Sequence, residues 1–218
     1  MTEQAQHIGE RGIGVQNNGS KNTVTIYAGA AELVLDLRHK LKAPPETERD
    51  LLLTELRATT LVGRAGDLAQ LEAWLNTSRF IAARGLTGRA GTGKTRLAIE
   101  LCERAEAAGW IAGFARQDEL RRFFDAKSLT AWRWNKPILV VVDYAAASAA
   151  ILREWLAVLA SRRRQANEPS LRLLLLERYA EPGMGWWDQV FKPASMTGRG
   201  PDDLLDPARV TLQNGAAR

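Results

Sequence analysis

The sequence has a single cysteine, Cys102, which excludes a disulfide framework within the chain and points to a reducing compartment, with the cytoplasm as the expected location. Long apolar runs are also missing. The longest strongly apolar stretches, Ile138 to Val142 and Leu173 to Leu176, are much too short to span a bilayer, and the first 30 residues hold no continuous apolar segment of the signal-peptide kind. A membrane is therefore not an expected partner. Nor is charge of one sign concentrated anywhere: 30 basic against 25 acidic residues give a net charge of +5 that is spread along the chain. That distribution is a weak argument for nucleic acid, which is not the expected partner.

What is present is enough for one full α/β core and a small appendage, since the chain has 218 residues, of which 45% are hydrophobic. Its centre is Gly88-Arg89-Ala90-Gly91-Thr92-Gly93-Lys94-Thr95, which satisfies G-x-x-x-x-G-K-[ST]. Glycines at 88, 91 and 93 let the backbone turn tightly and direct successive N–H groups inward, which makes a concave anion site. The loop opens onto a helix beginning near Lys94, whose N-terminus favours phosphate. Lys94 is placed to reach the β- and γ-phosphates, and the Thr95 hydroxyl to ligate Mg²⁺. The stretch Gly88, Arg89, Ala90, Gly91, Thr92, Gly93, Lys94, Thr95 and Arg96 is the candidate cofactor site.

The flanks agree with that reading. Arg79 to Thr87 reads as a strand running into the loop. Leu97, Ala98, Leu101, Cys102 and Ala105 then recur at helical spacing until Gly109 supplies a C-terminal stop. Cys102 on this apolar face reads as a small core hydrophobe. Upstream, Asp67 is expected to cap a helix in which Leu68, Leu71, Trp74 and Leu75 share one face.

Downstream, Trp110 to Ala115 reads as a strand, Asp118 to Asp125 as a helix, and Pro137 to Val142 as a β-branched strand ending at Asp143. A helix with Ile151, Leu152, Trp155, Leu156 and Leu159 on one face follows, then a strand over Leu171 to Leu176. Strands and helices alternate and the strands are apolar throughout, which predicts an α/β fold with a mainly parallel sheet covered on both faces: a P-loop NTPase three-layer sandwich. Arg162 to Arg164 are expected to sit in water at a helix C-terminus, with nucleic-acid contact as the alternative. Trp132, Trp134, Trp186 and Trp187 are expected to pack under loops, with base stacking as the alternative.

Residues 1–29 form a Gly/Asn-rich leader. Asn17-Asn18-Gly19-Ser20 is a credible turn between Ile13 to Gln16 and Thr23 to Tyr27, a short hairpin that is either flexible or in need of a partner surface. Residues 30–59 read as a helical linker, with leucines at helical spacing over Ala31 to Lys42 and Thr47 to Ala58 on either side of Pro44-Pro45. Residues 60–218 form the P-loop NTPase domain.

A phosphate loop needs a carboxylate to hold the Mg²⁺ from the other side. Asp143, a lone acid after five apolar β-formers, offers it, so Thr95 and Asp143 are the candidate metal ligands. The expected sheet places Leu171 to Leu176 between the Asp143 strand and the loop strand, with Glu177 and Arg178 near the γ-phosphate; Arg178 is the candidate phosphate sensor. Lys94, Asp143 and Arg178 thus make the candidate catalytic set. The far side of the loop strand has only Arg209 to Gln213 to pair with it, and if that segment did not dock, the exposed edge would invite association.

Val62-Gly63-Arg64 with Asp67-Leu68 and Leu71, the run Leu86 to Ala98, Val142-Asp143, and Leu173 to Leu176 with Arg178 together resemble the nucleotide-binding module of bacterial STAND NTPases, relatives of the NACHT and NB-ARC switch proteins. The resemblance covers residues 55 to 190. It implies that Val62, Gly63 and Arg64 lie against the adenine and ribose, that ATP rather than GTP is the nucleotide, and that a protein partner or self-association accompanies signalling. It also implies a further strand, a lid and a repeat array, for which only Arg209 to Gln213 and a short tail remain, so the chain is expected to be a truncated module.

Many related NTPases place a second acid directly after the metal-binding Asp, but here Tyr144 and Ala145 follow. The expected function is a Mg²⁺-dependent ATP-binding switch with slow or absent hydrolysis. A non-hydrolysing scaffold fragment and a DNA-directed ATPase of the AAA-plus kind are the alternatives.

Overall fold

The computed structural model describes residues 13–18, 23–28, 31–40, 62–125, 132–164, 167–183, 185–191, 200–206 and 210–212. Three antiparallel strands come first, β1 (Ile13–Asn18), β2 (Thr23–Ala28) and β3 (Ala31–Asp36), followed by a 3₁₀ turn at Arg38–Lys40. Then come α1 (Ala65–Leu75), β4 (Ile81–Gly88), α2 (Lys94–Ala107), β5 (Ile111–Phe114), α3 (Gln117–Asp125), β6 (Ile138–Asp143), α4 (Ala149–Ser161), β7 (Leu171–Glu177), α5 (Gly185–Phe191) and β8 (Val210–Leu212). All eight strands form one sheet in the order β1-β2-β3-β5-β6-β7-β4-β8. The five strands from β5 to β8 in that order are parallel to one another.

Alternation along each central strand makes the two core layers. Val140, Val142, Leu173 and Leu175 point to the face covered by α4 and α5, where they meet Leu152, Trp155 and Leu156. Leu139, Val141, Leu174 and Leu176 point to the opposite face, against Leu71 and Trp74 of α1 and Leu97 and Leu101 of α2. Strands buried on both faces have no polar side to show, which is why β6 and β7 read as unbroken apolar runs. The expected insertion is present: β7 pairs with β6 on one side and β4 on the other. The weak segment near the C-terminus also docks, with Val210, Thr211 and Leu212 opposite Leu86, Thr87 and Gly88, so β4 is not an edge.

The N-terminal region departs from the sequence reading. Ala31 to Lys42 was expected to be helical, but Ala31–Asp36 is strand β3. Leu33, Leu35 and Leu37 are buried while Val34 and Asp36 are partly exposed. That period of two outweighs the helical spacing because β5 has a free side to pair with, at Asp36↔Phe114. β3 gives the β1–β2 hairpin the neighbour that two strands alone lack. The expected helix over Thr47 to Ala58 lies outside the described residues.

Smaller corrections follow from packing. Asp67 does not cap α1: Arg64 holds the N-cap position, and Asp67, inside the first turn, takes a hydrogen bond from Arg64 Nη1 at 3.1 Å. α2 stops as expected, with Gly109 at φ 87°, its N–H on Glu106 O and the Trp110 N–H on Ala105 O, a paired closure that needs a left-handed residue. Arg162 is not solvated. It pairs with Glu168, donates to Trp132 O at 2.6 Å and lies 4.4 Å from the centroid of the Trp134 ring. Trp132, Trp134 and Trp187 are buried, and Trp132 makes an edge contact with Trp155. They pack as core, which leaves their faces closed to bases.

Candidate functional site

The C-terminal ends of β4, β6 and β7 meet the N-terminus of α2 around a cavity of about 490 Å³, within the roughly 300–1,000 Å³ typical of small-molecule sites. Position 88 has to be glycine for a steric reason: a Cβ there would lie 2.7 Å from both Leu212 O of β8 and Thr92 Oγ1. Gly93 is the N-cap of α2 in left-handed backbone, φ 88°, and no side chain caps the helix. The N-cap thus brings no side chain of its own to the first-turn N–H groups, an arrangement suited to an anion.

Lys94 folds over this loop, its ammonium donating to Gly88 O at 2.6 Å and Arg89 O at 3.0 Å. Burial pushes its pKa below the usual lysine value, partly offset by the negative charges of Asp143 and Glu177, while Arg178 adds to the lowering. An incoming phosphate would supply the counter-charge this ammonium lacks. Thr95 Oγ1 donates to Asp143 Oδ2 at 3.0 Å, and Asp143 Oδ1 accepts the Tyr144 N–H at 3.1 Å.

Among the sequence-derived site residues, Ala90, Gly91, Gly93, Lys94, Thr95 and Arg96 line the cavity, as do Asp143 and Arg178. Gly88, Arg89 and Thr92 do not line it: Gly88 O and Arg89 O hold the Lys94 ammonium, and Thr92 Oγ1 donates to Arg89 O at 2.9 Å. Val62, Gly63 and Arg64 do not line the cavity; Arg64 reaches the loop instead, donating from Nη2 to Thr92 O at 2.9 Å, and Val62 is 83% exposed.

Two residues enter the site that the sequence did not assign a role. Arg38, just after β3, comes within 3.7 Å of Asp143 Oδ2; nothing short of the correct strand assignment for residues 31–36 could have found it. Glu177, at the end of β7, lines the cavity beside Lys94, and its signal was present in the sequence, an acid directly after a buried apolar strand.

The donors suit a hard cation. A hydroxyl and a carboxylate within hydrogen-bond distance at the foot of a phosphate loop match Mg²⁺, which keeps several waters and takes the rest of its shell from phosphate oxygens. Among the described residues there is no group of three or more His, Cys, Asp or Glu side chains that would cage a metal by themselves. No helix among the described residues is long and apolar enough to cross a membrane.

Fold and loop together define a P-loop NTPase fold, with a mainly parallel sheet and the strand order just given. No protein-family model matches the chain, and no curated protein does. Similar solved structures include Aeropyrum pernix Orc1 in complex with DNA, at 16% identity and a TM-score of 0.47 over 76% of this chain and 49% of that one. Cdc6p from Pyrobaculum aerophilum is similar at 15% identity and a TM-score of 0.47, over 83% and 49%. Drosophila ORC bound to GC-rich DNA and Cdc6 is similar at 13% identity and a TM-score of 0.44, over 68% and 28%. The chain spans half or less of the length of these proteins, and the likenesses are too distant to choose among functions. They lend no support to the expectation that nucleic acid is not a partner.

Proposed function

We propose that this chain binds ATP with Mg²⁺ as the nucleotide module of a STAND-like signalling switch, in which slow hydrolysis sets the lifetime of the triphosphate state. The observation that carries the nucleotide and Mg²⁺ part is the Thr95–Asp143 hydrogen bond of 3.0 Å at the foot of a helix whose N-cap is a glycine; the switch part rests on the sequence resemblance. In this reading residues 60–218 carry the nucleotide module and strands β1 to β3 extend its sheet. The Lys94 ammonium exchanges its two loop carbonyls for β- and γ-phosphate oxygens, and the N–H groups at the start of α2 take the remaining oxygens. Mg²⁺, held by Thr95 and Asp143, neutralises phosphate charge when bound. Val62, Gly63 and Arg64 take the nucleoside side, and Arg178 senses the γ-phosphate.

Calorimetric titration of the chain with ATP, with Mg²⁺ and with EDTA, tests this. Saturable binding that Mg²⁺ strengthens, and that ATP competes for better than GTP, is expected. No binding at millimolar ATP would overturn it. A DNA-directed ATPase of the AAA-plus kind is the second reading, for which the net charge of +5, spread along the chain, is a weak argument. Phosphate release that rises when duplex DNA is added would support that reading over the switch; nucleotide affinity and turnover unchanged by DNA would count against it.

A further inference from the structure

The position after Asp143 is Tyr144, exposed and in left-handed backbone at φ 54°, so no acid stands there to take a proton from water. The fold puts one a single strand nearer the phosphate loop. β7 lies between β6 and β4, and Leu176 is paired with Asp143, which sets Glu177 at the level of Tyr144. On its other side Glu177 is paired with Thr87, the residue before the loop, and the Gly88 N–H donates to Arg178 O at 3.3 Å. Paired residues of parallel strands share a sheet face: two positions back, Val142 and Leu175 pack in the same core layer. Glu177, two positions beyond Leu175, therefore takes that same face of β7, one strand nearer Lys94 than β6.

Its carboxylate is also oriented. Oε1 accepts the Arg178 N–H at 2.7 Å and Oε2 accepts the Ala146 N–H at 3.2 Å. Each oxygen has two acceptor positions, so each keeps one for a water in the cavity.

We propose that Glu177 is the catalytic base of this site, an inference that rests on the nucleotide reading above. A water donates a proton to Glu177 while its oxygen forms a bond to the γ-phosphorus of ATP. The bond between that phosphorus and the β–γ bridging oxygen breaks, and its electron pair stays on ADP. Glu177 then returns the proton to the phosphate product or to solvent.

Glu177→Gln in the full chain tests the assignment, because the amide keeps the shape and cannot take the proton. The variant is expected to bind Mg²⁺-ATP within about threefold of the parent while phosphate release falls by roughly 100-fold or more, the usual contribution of a general base. Complexes isolated after incubation should then hold ATP in the variant and ADP in the parent. Glu177→Asp, one methylene shorter, should retain intermediate turnover. Phosphate release within threefold of the parent in Glu177→Gln overturns the proposal, as does a parent that binds ATP and releases no phosphate. Loss of nucleotide binding in both Glu177 variants overturns it too, because the residue would then serve to build the site. A parent that binds no ATP at all refutes the nucleotide reading itself, a result distinct from each of these.

Discussion

Arg38 lies 3.7 Å from Asp143 Oδ2, the oxygen that also accepts the Thr95 hydroxyl proton. Its guanidinium is pinned in place by Asp36, at 3.4 Å, and lies 4.5 Å from the centroid of the Phe114 ring. The neighbouring His39 and Lys40 hold Glu106 on α2, at 2.8 and 2.5 Å. The end of β3 is thus fastened both to the phosphate-loop helix and to the carboxylate that would face a cation. An arginine and a divalent ion compete for one carboxylate oxygen. Arg38→Gln should lower the Mg²⁺ concentration needed for half-maximal ATP binding by up to about fivefold, the equivalent of a partly exposed ion pair. Mg²⁺ titrations at fixed ATP would read it, and a rise in the Mg²⁺ requirement would show that Arg38 supports the cation instead.

Asp143→Asn keeps the Thr95 contact but removes the charge a hard cation prefers. Binding of ATP in EDTA should stay within about twofold, while the gain on adding Mg²⁺ should largely vanish. Equal Mg²⁺ dependence in variant and parent would place the metal ligand elsewhere.

Lys94→Ala should abolish measurable ATP binding without unfolding the domain. The ammonium is bonded to Gly88 O and Arg89 O on its own loop, and its loss leaves those carbonyls facing an open cavity where water can reach them. A fluorescent ATP analogue and circular dichroism together give the answer. Retained affinity in a folded variant would remove the phosphate-loop assignment.

Gly88→Ala should displace β8. The added methyl group has no room between Leu212 O and Thr92 Oγ1, and overpacking of this kind costs about 1–3 kcal/mol. Denaturant unfolding should show that loss, and hydrogen exchange at Val210 to Leu212 should speed up while β6 stays protected. Unchanged exchange at those three residues would mean that the loop absorbs the methyl and β8 stays docked.

Arg172→Met tests a structural cation. The Arg172 side chain is fully buried in β7, and burial pulls its pKa down to about 10. It donates to Trp74 O, Thr77 O and Leu171 O at 3.3, 2.8 and 3.1 Å, closing the C-terminal end of α1 where helix carbonyls lack partners. Methionine fills much of the volume but takes the guanidinium donor from Thr77 O, at roughly 1–3 kcal/mol for a buried oxygen left unpaired, while Trp74 O keeps the Thr77 N–H and hydroxyl. A midpoint lowered in urea, with ATP binding preserved in the folded state, is the expected result; stability equal to the parent's would mean the carbonyls find water.

Much of this protein can be read from its residues alone, and the physical reason is local. The phosphate loop is contiguous, so its glycines, Lys94 and Thr95 carry their geometry in the chain itself. The apolar runs at 138–142 and 171–176 announce strands buried on both sides, and Asp143 is conspicuous at the end of one. Residues 31–36 were misread because leucine spacing satisfies helix and strand alike over so short a window, and only the free side of β5 decided between them. Asp67 and Arg162 were misplaced for a related reason: each has a partner, Arg64 in one case and Glu168 with Trp132 and Trp134 in the other, whose position only the folded chain supplies. Arg38 reaches Asp143 across 105 positions of sequence, whereas the strand order legible in the sequence already put Glu177 near the phosphate site, and strand pairing added the register that sets it beside Thr87. Local backbone chemistry determined the loop and the strands; which side chains share the cavity was decided by the order in which the sheet assembled.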